Sequence, residues 1–326
     1  MNPRVSVVVP TYHRDTLLER CLRALLAQDL SPSAYEIIIA DDAASHQTAR
    51  LVEDVARSVC RDGPRVRYVP ICGAHGPAAA RNQGWRAAHG DLIAFTDDDC
   101  APAANWLSEG LAAARDPEVV GVSGRLLIPL TTTPSDYARN AALLQFAEFV
   151  TANCFYRRAA VEAVGGFDER FECAWREDSD LYFRLLRHGG RFARAERAIV
   201  THPLRPARWG VSLRQQRKSM FNALLYKKDR ALYRKHIQAS PPWRYYETVG
   251  LLAGAGALTI GRRPRLARLA LLGWALWTAR FCAQRLRHTN HTPAHVAEMA
   301  VTSALIPPLA LYWRLRGAVK YRVWFL

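Results

Sequence analysis

Four short apolar runs, separated by stretches of helical spacing, constrain this chain more than anything else in it. Arg4–Pro10 (RVSVVVP), Tyr35–Ala40 (YEIIIA), Arg65–Pro70 and Leu92–Phe95 read as strands; the first, second and fourth look buried on both faces. Between them, Asp15–Gln28 places Leu17, Leu18, Cys21, Leu22, Leu25 and Leu26 at helical spacing. Gln47–Arg61 is amphipathic, and Gly76–His89 is small on one face and carries Arg81 and Asn82. Such alternation predicts an α/β fold: a mostly parallel open sheet, right-handed crossovers, helices on both faces. Ligands of these sheets bind at the carboxyl ends of the strands. Polar groups stand at those ends here: Thr11-Tyr12 after the first strand, Asp41-Asp42 after the second, Asp97–Asp99 after the fourth.

The last of these clusters, in GDLIAFTDDDC (Gly90–Cys100), sets three carboxylates side by side. Mutual repulsion makes that arrangement costly unless positive charge lies against it. Adjacent carboxylates suit a hard divalent cation, Mg²⁺ or Mn²⁺, which can in turn hold a diphosphate. A polar loop in which Asp99 or Cys100 caps a helix is the plainer alternative. Neither GxGxxG nor GxxxxGK[ST] occurs, so no dinucleotide fingerprint or P-loop is present.

Downstream, the pattern predicts a helix from Trp106 to about Ala114, strands near Val119–Gly124 and Thr151–Tyr156, and a short helix over Arg157–Val164. Pro129–Asp136 reads as a loop, and Asn140–Val150 is apolar and aromatic. After GGFDER (Gly165–Arg170), Trp175–Asp180 opens a helix over Leu181–His188, where its carboxylates meet the positive end of the helix dipole.

In order and spacing, VSVVVPTYHR, EIIIADDAA, GPAAARNQGWRAAHGDLIAFTDDD, RRAAVEAVGGFDE and WREDSDLYFRLLRHG resemble family 2 glycosyltransferases, which have the nucleotide-sugar-binding GT-A fold. The likeness spans about residues 4–205, so residues 1–205 are expected to form the catalytic domain and 206–326 a helical, basic appendage. The resemblance implies that Pro10, Thr11 and Tyr12 line the base and ribose, and that Asp42 or its neighbour Asp41 bonds the nucleotide base. It implies that Arg81 faces the donor, with Asp97, Asp98 and Glu177 also in the nucleotide-sugar site. Asp97–Asp99 resemble the DxD element, with Asp99 and Asp97 as metal ligands and Asp99 the direct one. Asp178 matches the general base, and His202, counted with Asp99 and Asp97 among the metal ligands, stands where many members carry a histidine near the diphosphate. One departure is Ala43-Ala44-Ser45 in place of the usual Gly-Ser-Thr run, which leaves the nucleotide base open.

The implied chemistry is inverting transfer from a nucleotide-diphosphate sugar to an acceptor hydroxyl, assisted by a divalent metal. Acceptors in cell-surface polysaccharide, glycolipid or secondary-metabolite glycosylation, whether saccharide, lipid-linked or small-molecule, are expected. Plainer roles remain for the same residues: a charged helix start for Glu177, Asp178 and Asp180, a strand-end turn for Asp41-Asp42, and a structural or solvent-facing ring for His202. Two rival functions are a nucleotidyltransferase making the activated sugar and a basic nucleic-acid-binding protein. The first wants a glycine-rich basic phosphate loop that Thr11–Arg14 does not supply. The second leaves the strand-end carboxylates unexplained, so no nucleic acid partner is expected.

Charge divides the chain. The net charge is +16, yet residues 201–326 hold 22 Lys+Arg against 3 Asp+Glu, and residues 1–200 hold 23 against 26. Such asymmetry points to an anionic partner. Thr248–Gly261, Leu269–Ala279 and Met299–Trp313 are uncharged runs of 14, 11 and 15 residues, each short of the roughly 20 that a span needs. Trp and Arg are interleaved here (Trp243, Arg244, Trp274, Trp277, Trp313, Arg314, Trp324), as at a membrane interface. The expectation is a cytoplasmic protein, peripheral on the inner face of the cell membrane; packing of the runs on the catalytic domain, or a homo-oligomer through them, is the alternative. Seven cysteines, odd in number and without a CxxC pair, argue against a disulfide framework and a zinc site. No cleavable apolar run precedes Val5, so no signal peptide is expected.

Overall fold

The computed structural model describes residues 2–59 and 63–325. Cys60, and Arg61 at the end of the helix predicted over Gln47–Arg61, lie outside the described residues. The chain forms two compact units: Met1–Pro129 with Leu143–Leu204, and Leu130–Ala142 with Arg205–Leu326. The stretch Pro129–Asp136, expected to be a loop of the first domain, leads into a helix, Asp136–Ala142, that belongs to the second unit.

The first unit is built on a mixed eight-stranded sheet: β1 (Val5–Thr11), β2 (Tyr35–Asp41), β3 (Arg65–Pro70), β4 (Leu92–Phe95), β5 (Ala101–Pro102), β6 (Val119–Leu127), β7 (Cys154–Arg157) and β8 (Arg191–Thr201). Their order is β3-β2-β1-β4-β7-β6-β8-β5. The β3-β2-β1-β4 half is parallel, joined by the crossover helices Asp15–Leu26, His46–Ser58 and Pro77–Arg86, and the sheet carries helices on both faces. β7 runs antiparallel to both of its neighbours, and β5 antiparallel to β8. Val5, Val7, Val8 and Val9 of β1 and Ile37, Ile38 and Ile39 of β2 have no exposed surface, as expected of strands covered on both sides. β3 is an edge, and its arginines 65 and 67 suit one.

Sequence reading found six of these strands and missed β5 and β8. β5 has only two residues. β8 carries Arg191, Arg194, Glu196 and Arg197, which hide the apolar alternation that marks a half-buried strand.

The second unit is helical, with Met220–Lys228, Arg230–His236, Trp243–Ile260, Pro264–Leu286 and Pro293–Lys320 its main elements. Arg285, 7% exposed, ties three of its helices together. It donates through Nε and Nη2 to Asp136 at 3.1 and 2.8 Å, and through Nη1 to Thr302 and Ser303 at 2.6 and 3.1 Å. Pro293–Lys320 continues unbroken through Pro307-Pro308, so the third apolar run is part of a helix longer than its composition suggested. That helix is long and apolar enough to cross a membrane by length and composition. Its Gly317 lets it approach Met220–Lys228 closely: a Cβ there would lie 2.5 Å from the Met220 carbonyl oxygen.

Candidate active site

Register places the polar strand ends together. Thr11 pairs with Asp41 at the carboxyl ends of β1 and β2, while Val8 pairs with Phe95 just before Asp97–Asp99.

The three neighbouring aspartates turn to three different partners, which resolves the repulsion that the sequence raised. Asp97, half-buried, accepts from Arg81 Nη2 at 2.8 Å. Asp98, 2% exposed, accepts from Thr11 Oγ1 and Arg14 Nη1, both at 2.9 Å. Burial is the largest influence on Asp98 and holds its carboxyl above the ordinary value, against the pull of Arg14. Asp99 lies 3.5 Å from His202 Nε2 and 3.9 Å from Arg14. Its carboxylate, the Cys100 sulfur and the His202 ring offer ligand atoms within 4.8 Å of one another.

That last cluster fits a divalent cation. A carboxylate and an imidazole are donors that Mn²⁺ accepts, and His202 Nδ1 is buried without a hydrogen-bond partner among the described residues. Cys100 is the misfit: burial pushes its thiol up, and a protonated thiol is a poor ligand for a hard ion.

Asp41 and Asp42 differ in the same way. Asp41 is fully buried and accepts from the backbone N–H of Ala43 (3.0 Å) and Ser45 (2.8 Å) and from the Tyr68 hydroxyl (3.0 Å). It shapes the turn after β2. Asp42 is partly exposed; its Oδ1 lies 3.0 Å from His75 Nδ1, and its Oδ2 accepts from Gly76 N–H at 3.0 Å. Gly76 has φ of +108°, and a Cβ there would lie 2.9 Å from the Glu172 carbonyl oxygen, so this contact needs glycine. Pro10 is partly exposed and Tyr12 is 57% exposed just beyond β1.

Arg81 joins the two halves of the site. Its side chain is 3% exposed and donates through Nη1 to Glu177 at 3.0 Å while Nη2 holds Asp97. Glu177, buried, and Asp178, partly buried, open the helix Glu177–Arg187 after Arg176, whose φ of +77° is unusual for a residue with a side chain. Asp178 accepts from Ser179 N–H at 2.6 Å. Burial is the largest cause raising both carboxyls. The neighbouring charge of Asp178 adds to it for Glu177, while Arg81 and the Ser179 N–H oppose it for Glu177 and Asp178 respectively.

Sequence reasoning missed Arg14, Tyr68, His75 and Cys100 as parts of this constellation. Arg14 stood inside the first quoted motif and could have been found there. Tyr68 and His75 carry no local signal, because only the packing of β3 and of the loop before Pro77 brings them to Asp41 and Asp42.

Residues 6–173 match the model of "Glycosyl transferase family 2", and residues 93–315 that of "Glycosyl transferase family group 2". Glycosyltransferase AglE of Haloferax volcanii is 27% identical over 225 residues, covering 66% of this chain and 71% of that protein. Validoxylamine A glucosyltransferase of Streptomyces hygroscopicus subsp. limoneus is 30% identical over 57% of this chain, which spans about half (49%) of that relative's length. Among solved structures, the mannosyltransferase PcManGT from Pyrobaculum calidifontis, in complex with GDP-Man and Mn²⁺, superposes with a TM-score of 0.57 at 22% identity, over 99% of this chain and 88% of that one.

Proposed function

Because the chain belongs to glycosyl transferase family 2, we propose that it moves a sugar, with inversion, from a nucleotide-diphosphate donor to an acceptor hydroxyl. The observation that carries this is Arg81, which fixes the Asp97–Asp99 segment to the Glu177-Asp178 pair by two hydrogen bonds from one guanidinium. A leaving diphosphate and an attacking hydroxyl have to be served on opposite sides of one anomeric carbon, and this link holds the two sets of groups in register.

Asp99 and His202, with Asp97 of the same segment, would hold a divalent cation, Mg²⁺ or Mn²⁺. Bound there, the ion would neutralise the departing diphosphate. Asp178 takes the proton from the acceptor oxygen as that oxygen attacks, and its raised pKa makes it a better proton acceptor than an ordinary carboxylate. Asp42, Tyr12, Thr11 and Pro10 line the nucleoside end, with Asp42 rather than the buried Asp41 offering an accessible carboxylate. Asp98 acts through Thr11 and Arg14, holding the loop after β1 against the metal-binding segment. A single base and direct displacement give inversion.

The acceptor is a saccharide, lipid-linked or small-molecule hydroxyl compound, and the chain works on the cytoplasmic side, peripheral to the cell membrane. The charge of residues 201–326 supports that placement. Family membership favours this reading over the nucleotidyltransferase and nucleic-acid-binding ones. The test is a screen of UDP-glucose, GDP-mannose and related donors with Mn²⁺, read as donor hydrolysis and thermal stabilisation. A matched donor at about 100 times its Kd adds roughly 2.7 kcal/mol. Absence of any metal-dependent donor turnover or stabilisation across the panel overturns the proposal.

A further inference from the structure

In the second unit, the helix that composition marks for a membrane and the helix that structure leaves bare are different ones. Pro293–Lys320 buries Met299, Thr302, Ser303, Ile306, Leu311 and Arg314, among others, within its own unit. Several of its polar groups have partners there: Thr302 and Ser303 receive Arg285, and the Arg314 guanidinium lies 3.6 Å over the Phe325 ring. By contrast, Pro264–Leu286 buries only Ala267 and Arg285 of its 23 residues. Leu269, Leu272 and Leu276 are 63, 56 and 63% exposed, at helical spacings of three and four, and the exposed Ala279 and Ala283 extend the stripe. The preceding helix, Trp243–Ile260, pairs with it as a hairpin and leaves Leu252 and Ile260 exposed. Between the two runs an open groove of about 610 Å³, lined by Leu251, Ala270 and Trp277 with two glycines and Glu247.

Monomeric soluble proteins rarely expose so continuous an apolar face without a partner. Charge identifies the partner here. The turn of the hairpin and the start of its second helix carry Arg262, Arg263, Arg265 and Arg268, all exposed, and Glu247 is the only acidic residue between Arg230 and Ala297. A second copy of this chain laid on the same face would bring arginine against arginine with one carboxylate to answer them. An anionic lipid surface answers both the leucines and the arginines. The uncharged run Leu269–Ala279 is 11 residues, roughly 16 Å of helix against a hydrocarbon core of about 30 Å. The exposed Arg268 and Arg280 bound that run, which favours a helix lying in the interface, its arginines reaching up to the headgroups.

We propose that the hairpin Trp243–Leu286, and not the long helix Pro293–Lys320, is the element that docks this chain on an anionic membrane, with Leu269, Leu272 and Leu276 entering the acyl boundary. This rests on the peripheral-membrane part of the reading above, but not on the transfer chemistry.

The experiment sediments the full chain with sucrose-loaded vesicles of phosphatidylcholine alone or with 30 mol% phosphatidylglycerol (about a third anionic, a composition at which basic residues respond to surface charge). Wild type is expected to sediment with the anionic vesicles and much less with the neutral ones. The triple variant Leu269→Asp/Leu272→Asp/Leu276→Asp should lose at least tenfold in partitioning while keeping its circular dichroism and its gel-filtration volume. Val301→Asp/Leu305→Asp, on the exposed face of the long helix, should partition like wild type. Replacing Arg262, Arg263, Arg265 and Arg268 by Gln should abolish the preference for anionic vesicles. Indifference of wild type to vesicles, equal binding by the leucine triple, loss of binding only in the long-helix variant, or a wild-type dimer made monomeric by the triple each overturns the proposal. None of these readouts uses a sugar donor, so failure here leaves the catalytic reading standing, and failure to turn over a donor leaves the vesicle result standing.

Discussion

The Arg81 guanidinium donates to the Glu177 carboxylate at 3.0 Å across 96 residues of sequence, with both side chains 3% exposed. A buried charge pair of this kind contributes little net stability, because desolvation offsets most of the attraction. Breaking it on one side is costly, because a bare charge is left inside. Here the pair links the helix Pro77–Arg86 to the helix Glu177–Arg187, and so fixes where the proposed base stands.

Arg81→Met is accordingly expected to destabilise the chain by about 3–5 kcal/mol. Adding Glu177→Gln should recover part of that loss, because the orphaned carboxylate is then neutral. Chemical denaturation of the two single variants and the double one measures the coupling. Strict additivity of the single effects would mean the contact carries no energy.

The raised carboxyls of Glu177 and Asp178 predict a definite pH response. Each keeps its proton in the folded chain at pH values where the unfolded chain has already released it. The folded state therefore binds more protons from about pH 4 up to the raised values, and stability falls as pH rises through that window. Glu177→Gln should flatten this slope. Because Asp178 must be ionised to accept a proton, transfer should fall on the acid side, at a pH above the ordinary aspartate value. Denaturation profiles and initial rates across pH 4–9, a window of about five units around the ordinary carboxylate and histidine values, read the stability slope and the acid limb of transfer.

Asp178→Asn is nearly isosteric and cannot take a proton. Donor and metal binding should persist while transfer drops by roughly 10²–10⁴-fold. Loss of donor affinity with kcat retained would make Asp178 a binding residue and place the base elsewhere.

Asp98 and Asp99 are neighbours with different predicted phenotypes. Asp99→Asn should abolish Mn²⁺ binding, followed by the paramagnetic signal of the ion, and donor turnover should vanish in EDTA and return with Mn²⁺ or Mg²⁺. Asp98→Asn should cost about 1–3 kcal/mol of stability, through the weakened Thr11 and Arg14 bonds, and retain most of the Mn²⁺ binding. Equal loss of metal in both variants would contradict the division of roles.

Sequence alone determined the sheet's parallel half, because β1, β2 and β4 are dominated by apolar residues and stretches of helical character separate them. It also placed Thr11, Asp41-Asp42 and Asp97–Asp99 at strand ends, since a strand's carboxyl end is a local property. What each carboxylate does there was decided only by tertiary structure. Asp41 and Asp42 are chemically identical in the chain, yet packing against Tyr68 buries one and the Gly76 loop leaves the other partly open. The same holds for Asp97, Asp98 and Asp99, which part toward Arg81, Arg14 and His202, residues far apart in the chain. In the last third, composition singled out Met299–Trp313 as the longest apolar run. Folding buried one face of that helix against its own unit and left the shorter run, Leu269–Ala279, exposed. Hydropathy counts apolar residues; which of them meet water depends on the neighbours they pack against.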